Sequence, residues 1–215
     1  MKTVIITGTN GMIGRLILEN CLLNENINKV ISITRKPLGI KHHKLIEIIH
    51  HNFLNFSIIE DQLKNIDIVY YCLGVYTGQI SSNEFKEITV HYTQSFAKTI
   101  QQLNPNCSFC FLSGAGADSS EKSTILFARE KGIAENILLQ LQFKATYIFR
   151  PGYIYPITPR KEPNIFYTVM RKLYKPLAFI YPNIGISSTD LANKIFTIGL
   201  NGGTNIIYEN RDIKK

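Results

Sequence analysis

Short runs of Ile, Val, Phe and Tyr recur along the chain, each bounded by Gly, Asn or Pro, and longer one-sided stretches separate them. Thr3–Thr7, Lys29–Thr34, Leu45–His50, Asp67–Cys72, Ser108–Leu112, Ala145–Phe149 and Asn205–Tyr208 read as strands. The stretches at about 12–24, 57–65, 83–103 and 124–142 read as helices. In the first of these Met12, Ile13, Leu16, Ile17 and Leu22 recur on one face, and in the last Ile125, Ala128, Ile133, Ile137, Leu138 and Leu141 do the same. Strand-helix alternation predicts an α/β fold, a doubly wound parallel sheet covered by helices on both faces. Ligands in such a sheet sit at the carboxyl ends of the strands, where the strand order reverses.

The region 150–190 breaks the alternation and holds six of the chain's eight prolines. Within it, Asn164 to Lys175 predicts a one-sided helix, with Ile165, Phe166, Val169, Met170, Leu173 and Leu177 on one face and Arg171, Lys172 and Lys175 elsewhere. Packing onto the domain, a cap over a substrate pocket, a contact between copies of the chain, as in a homodimer, and a membrane surface are the roles open to it. No internal repeat or linker divides the chain, so residues 1–215 read as one domain with 150–190 as a small C-terminal substrate-side or lid segment.

Composition narrows the class. At 215 residues, with 45% hydrophobic and 19% charged residues, the chain suits a globular domain and not a disordered one. No apolar run reaches the length needed to span a bilayer, and the apolar stretch at Met1–Gly8 is too short for a signal peptide. A cytoplasmic location is the expectation. Cys107 and Cys110 form a C-x-x-C, but in a strand residues three apart point to opposite faces, so both thiols read as core and no metal site is expected. The net charge of +8 is spread over Arg35-Lys36, Lys41 to Lys44, Arg160-Lys161, Arg171-Lys172 and the tail Arg211 to Lys215. No nucleic-acid motif accompanies it, so it reads as solvated surface, part of it serving an anionic cofactor, rather than as a nucleic-acid face.

The chemistry begins at Thr7-Gly8-Thr9-Asn10-Gly11-Met12-Ile13-Gly14, between the first strand and the first helix. A dinucleotide-binding Rossmann fold has its phosphate turn there. Gly8 permits the tight turn, Gly11 lets the backbone approach a pyrophosphate, and Gly14 lets the helix pack close to the sheet. The spacing is G-x-x-G-x-x-G. The helix's first N–H groups and its positive end face the phosphates. The second strand ends Ile33-Thr34-Arg35-Lys36, with no acidic residue for a ribose 2′-hydroxyl and with Arg35 offering a planar donor fork for a 2′-phosphate. NADP(H) is therefore the expected cofactor, with NAD(H) as the alternative.

Taken with Asp67 to Gly74, Ser113 to Asp118, Lys131-Gly132 with Glu135, and Phe149-Arg150-Pro151-Gly152, this turn resembles the atypical short-chain dehydrogenase/reductase superfamily. The likeness is to its NAD(P)-binding subgroup of Tat-interacting-protein-like and epimerase/dehydratase-like members, and it covers residues 3–155 best. The resemblance implies that Leu73 and Gly74 lie along the cofactor ribose and that Asn52 and Phe53 flank the adenine, with Asn52 standing where Asp is commoner. It also implies that Pro151 and Gly152 approach the nicotinamide amide and that Lys131 holds the nicotinamide ribose.

At the catalytic position the chain departs from that pattern. Active members of the superfamily carry a Tyr four residues before the Lys, its hydroxyl serving as general acid. Here the string is Phe127-Ala128-Arg129-Glu130-Lys131, and phenylalanine has no proton to give. Ser113 is present, but the resembling proteins often have a second Ser where Gly114 stands. Three readings stay open. An acid comes from elsewhere, such as Tyr76 or Tyr153; the protein senses NADPH and acts through a protein partner; or it transfers hydride to an unidentified small-molecule substrate with no side-chain acid at all.

Overall fold

The computed structural model describes residues 1–76, 78–158 and 165–215, with the backbone alone at 165–167 and 175. In chain order the strands are β1 (Lys2–Thr7), β2 (Ile27–Thr34), β3 (Leu45–Ile49), β4 (Ile68–Tyr71), β5 (Ser108–Leu112), β6 (Ala145–Arg150), β7 (Tyr153–Tyr155), β8 (Gly185–Ser187) and β9 (Ile207–Glu209). The helices are α1 (Met12–Leu23), α2 (Ser82–Lys86), α3 (Tyr92–Leu103), α4 (Leu126–Gln140), α5 (Ile165–Ile180), α6 (Ser188–Asn201) and α7 (Asn210–Ile213). Seven strands form one sheet in the order β3-β2-β1-β4-β5-β6-β9, and every neighbouring pair is parallel. The chain runs outward from β1 to β3 and then returns to β4, so the order reverses between β1 and β4. This is the doubly wound Rossmann fold.

The continuous apolar runs follow from burial on both faces. Val4, Ile6, Tyr70 and Cys110 point into one half of the core with Ile17, Leu18, Leu191 and Ile195 of α1 and α6. Ile5, Val69, Tyr71, Phe109 and Phe111 point into the other half with Phe96, Ile100, Ala134 and Leu138 of α3 and α4. Cys107 and Cys110 fall in opposite halves, each about 1% exposed, as the strand period requires.

Three helical elements depart from the sequence expectations. Residues 57–65 form a 3-10 turn, Ser57–Leu63, that buries Ile59 and Leu63. Residues 83–103 are two α-helices joined by a π-helical segment, Glu87–His91. Ser81 starts them with a capping box to Glu84. The third is α6, absent from the sequence reading, which covers the same sheet face as α1 and packs so tightly that a Cβ on Gly199 would lie 2.4 Å from the Tyr70 ring.

Within segment 150–190 the described residues include a strand pair. β7 and β8 form a separate two-stranded parallel sheet. The predicted helix from Asn164 is α5, its first residue and the Arg160-Lys161 pair lying outside the described residues. Tyr174 of α5 stacks on Tyr155 of β7 at 4.7 Å between ring centres. The face predicted to be one-sided is not wholly covered: Val169 and Leu173 are each 47% exposed.

Candidate functional site

β1 ends at a turn that only glycine can make. Gly8 has φ +75°, and a Cβ there would meet the Cys72 carbonyl at 2.5 Å. A Cβ on Gly14 would lie 2.3 Å from the Gly8 carbonyl oxygen, so Gly14 lets α1 seat against the turn. Gly11 is the N-cap of α1, and no side chain caps that helix, nor does an acidic residue stand in its first turn. Its leading N–H groups are thus left for a ligand.

Thr9 and Asn10 serve the turn from the other side. The Thr9 and Ser32 hydroxyls share a buried hydrogen bond at 2.7 Å. Asn10 Nδ2 donates to Thr34 Oγ1 at 2.6 Å and to the Lys36 carbonyl at 3.0 Å. Both side chains tie the glycine turn to the end of β2. They fix the segment that carries Arg35, which is exposed and close enough to Tyr92 to act on its hydroxyl electrostatically.

Beyond α1 a cleft of about 550 Å³ runs over the carboxyl ends of β1, β4, β5 and β6. It brings together Gly11, Met12, Ile13, Leu73, Gly74, Ser113, Phe127, Lys131, Pro151 and Gly152 from the sequence-predicted set. Arg35, Asn52 and Phe53 stand apart, after β2 and β3. Asn52 Oδ1 accepts from the Leu54 N–H at 3.1 Å. Phe53 is 2% exposed and packs against Phe56, Tyr92 and His50, so its ring belongs to the core and only its main chain is left to meet an adenine.

Lys131 is buried at the floor of the cleft. Its Nζ donates to the Leu112 carbonyl at 3.2 Å and stands 4.9 Å from the centre of the Phe111 ring. Burial pushes its pKa down to about 8, with the Glu135 carboxylate pulling the other way. Its neighbour Gly132 is required by α4 itself, because a Cβ there would collide with the Asp118 carbonyl at 1.8 Å.

Phe127 lies one helical turn before Lys131, and its ring abuts Gly114. A Cβ on Gly114 would lie 2.6 Å from Phe127 Cζ. Phe127, where the resembled superfamily's active members carry Tyr, thus has its ring against Gly114, where the resembling proteins often carry a second Ser. Ser113 is differently employed: its hydroxyl donates to Glu135 Oε1, and Glu135 is paired with Arg150. Arg150 donates through Nε to Glu135 Oε1 at 3.0 Å, and onward to Glu209 at 3.1 Å and Ser119 at 2.9 Å. This network stitches α4 to β6 and β9.

Tyr76 and Tyr153, the alternative acids, and Met170 of the expected one-sided helix also line the cleft. Other residues of the site escaped the sequence reading, among them Ile154 of β7. Asn210 holds the Pro151-Gly152 turn, accepting from the Gly152 N–H at 2.9 Å and donating to the Asn183 carbonyl at 3.0 Å. An asparagine after a strand so far along the chain carries no sequence signal for that role.

Comparison with known proteins agrees with this architecture. A profile of the NAD dependent epimerase/dehydratase family matches residues 4–129. Protein HTATIP2 of Rattus norvegicus is 25% identical over 179 residues, covering 82% of this chain and 72% of that protein. The mitochondrial protein FMP52 of Debaryomyces hansenii is 24% identical over 149 residues, covering 68% of this chain and 64% of that protein. Among solved structures, the Bordetella bronchiseptica enzyme WbmH in complex with NAD+ superposes with a TM-score of 0.70 at 16% identity, over 97% of this chain and 75% of that one. Among the described residues no helix is long and apolar enough to cross a membrane.

Proposed function

The chain belongs to the NAD dependent epimerase/dehydratase family, and from that premise we propose that it is an NADP(H)-preferring oxidoreductase that works without the superfamily's tyrosine acid. One observation carries this: the uncapped start of α1 at Gly11 opens onto the cleft that ends at the buried Lys131. The turn fits a dinucleotide, since a Cβ at Gly8 or Gly14 would strike backbone and its helix presents unsatisfied N–H groups. Gly11, Met12 and Ile13 would hold the pyrophosphate and Arg35 the 2′-phosphate. Leu73 and Gly74 would lie along the ribose, Lys131 would hold the nicotinamide ribose, and Pro151 and Gly152 would approach the amide. Bound in its reduced form, the cofactor supplies a hydride.

Titration with NADPH and NADH, followed by nucleotide fluorescence, tests the assignment. NADPH binding at least tenfold tighter than NADH supports it, and no binding of either overturns it. A second reading has its own support. With Phe127 in place of the usual Tyr and the Ser113 hydroxyl engaged by Glu135, neither usual hydroxyl is free for catalysis, which suits a protein that reports NADPH to a protein partner. A partner captured only with NADPH, and no turnover, would favour that reading. Gel filtration of the same sample tests the expected homodimer, and cell fractionation tests the expected cytoplasmic location against the mitochondrial one named for FMP52.

A further inference from the structure

The cleft beyond the dinucleotide site is largely apolar. Val75, Phe127, Ile154 and Met170 line it alongside Ser113, Tyr76 and Tyr153, and among the described residues Lys131 is the single charged group on its walls. A sugar nucleotide would bring a diphosphate into this space and would need cations or clustered N–H donors to replace its hydration. Lys131 alone, already engaged with the Leu112 carbonyl and the Phe111 ring, does not supply them.

The missing tyrosine at position 127 narrows the ligand further. Reduction of an isolated ketone builds an alkoxide, which needs a positioned proton donor; losing one typically costs about 10²–10⁴-fold. Reduction of a conjugated ketone does not. Its charge spreads over the enolate, and water can complete the reaction. Phe127 and Gly114 then form part of a flat apolar wall, where a hydroxyl pair would serve a different substrate.

We propose that this cleft binds an apolar α,β-unsaturated ketone, with the carbonyl oxygen toward Lys131 and the conjugated chain against Phe127, Ile154 and Met170. The inference rests on the dinucleotide-binding reading above and names the substrate class of that same site. In the step, the β-carbon of the enone gains the hydride and forms a C–H bond. The double-bond electrons shift, and the pair ends on the carbonyl oxygen as an enolate beside the Lys131 ammonium. Water protonates the α-carbon, so the ketone leaves saturated and the dinucleotide leaves oxidised.

The probe is benzylideneacetone (4-phenylbut-3-en-2-one), with its saturated counterpart 4-phenylbutan-2-one and UDP-glucose as rivals. Binding is read first, without turnover, as the thermal shift of the protein with NADP+ plus each probe. Benzylideneacetone should raise Tm and UDP-glucose should not. Met170→Glu should weaken the enone at least tenfold while leaving NADPH affinity unchanged. With NADPH, benzylideneacetone should be converted to 4-phenylbutan-2-one at least about 100-fold faster than 4-phenylbutan-2-one is reduced to its alcohol. NADPH binding with no enone binding, with a UDP-glucose shift alone, or with the carbonyl reduced in place of the double bond overturns the inference and spares the cofactor assignment. Absence of NADPH binding overturns both.

Discussion

Phe127 Cζ and Gly114 are mutually dependent: the ring occupies the space into which any side chain at 114 would grow, to within 2.6 Å of its first carbon. Gly114→Ala should therefore overpack the site and cost about 1–3 kcal/mol. Phe127→Ala should relieve that cost, since residues in contact couple in a double-mutant cycle. Thermal melts of the two single variants and the double variant measure the coupling, and strict additivity would show that the ring swings away freely.

Phe127→Tyr places a hydroxyl one helical turn from Lys131, because residues four apart share a helix face. The expected outcome is faster reduction of saturated ketones by about 100-fold or more, with NADPH affinity unchanged. Steady-state assays on a panel of aldehydes and ketones check it. Unaltered rates would mean that more than this hydroxyl separates the site from the superfamily's active members.

Arg35 follows β2 on a segment held by Asn10 and Thr34. Arg35→Ala should weaken NADPH by about 1.5–3 kcal/mol, the range for a hydrogen bond to a charged group, and leave NADH nearly unchanged. Equal losses for the two nucleotides would show that Arg35 does not read the 2′-phosphate.

Much of this was legible because the relevant signal is local. Thr3–Thr7 and Ser108–Leu112 read as strands since both of their faces are buried, and the Gly8-Gly11-Gly14 spacing reads as a phosphate turn because it stands between the first strand and the first helix. What stayed hidden depends on distant packing. α6 escaped because its apolar positions Leu191, Ile195 and Ile198 directly follow a proline-rich stretch that obscures where regular structure resumes. That the ring of Phe53 packs on Phe56 and Tyr92 in the core, leaving its main chain for an adenine, also depends on distant residues. The contact between Phe127 and Gly114 joins a helix to a strand end, and neither residue announces the other.

Ser113 separates structure from chemistry. Its hydroxyl donates to Glu135, which is 1% exposed and paired with Arg150. Ser113→Ala leaves a buried carboxylate short of a donor and should cost about 1–3 kcal/mol of stability. Arg150→Ala leaves the same carboxylate without its counter-charge and should cost more, about 3–5 kcal/mol. NADPH affinity should be unchanged in Ser113→Ala. A stable Ser113→Ala protein with impaired nucleotide binding or turnover would instead give the hydroxyl a direct role in the site.

Lys131 ties stability and function to opposite signs. Its pKa in the folded protein lies near 8, below the ordinary lysine value of 10.5, because burial penalises the ammonium. Between those two values the unfolded chain binds more protons than the native protein, so this group's contribution to stability rises with pH from about 8 to about 10.5. At neutral pH the buried charge is a liability on the order of 3 kcal/mol. Lys131→Met, of similar length and uncharged, should raise the Tm of the ligand-free protein at pH 7 and flatten its pH dependence across that window. Function should move the other way. The charged form, which can hold ribose hydroxyls or a developing oxyanion, is lost as pH rises through about 8, so NADPH affinity and any turnover should fall there. In Lys131→Met both should be low and flat through the same range. Melts and NADPH titrations from pH 6 to about 10, the span over which such a lysine changes charge, check the pair of effects. A wild-type affinity that does not change through pH 8 would remove the Lys131 ammonium from the binding site.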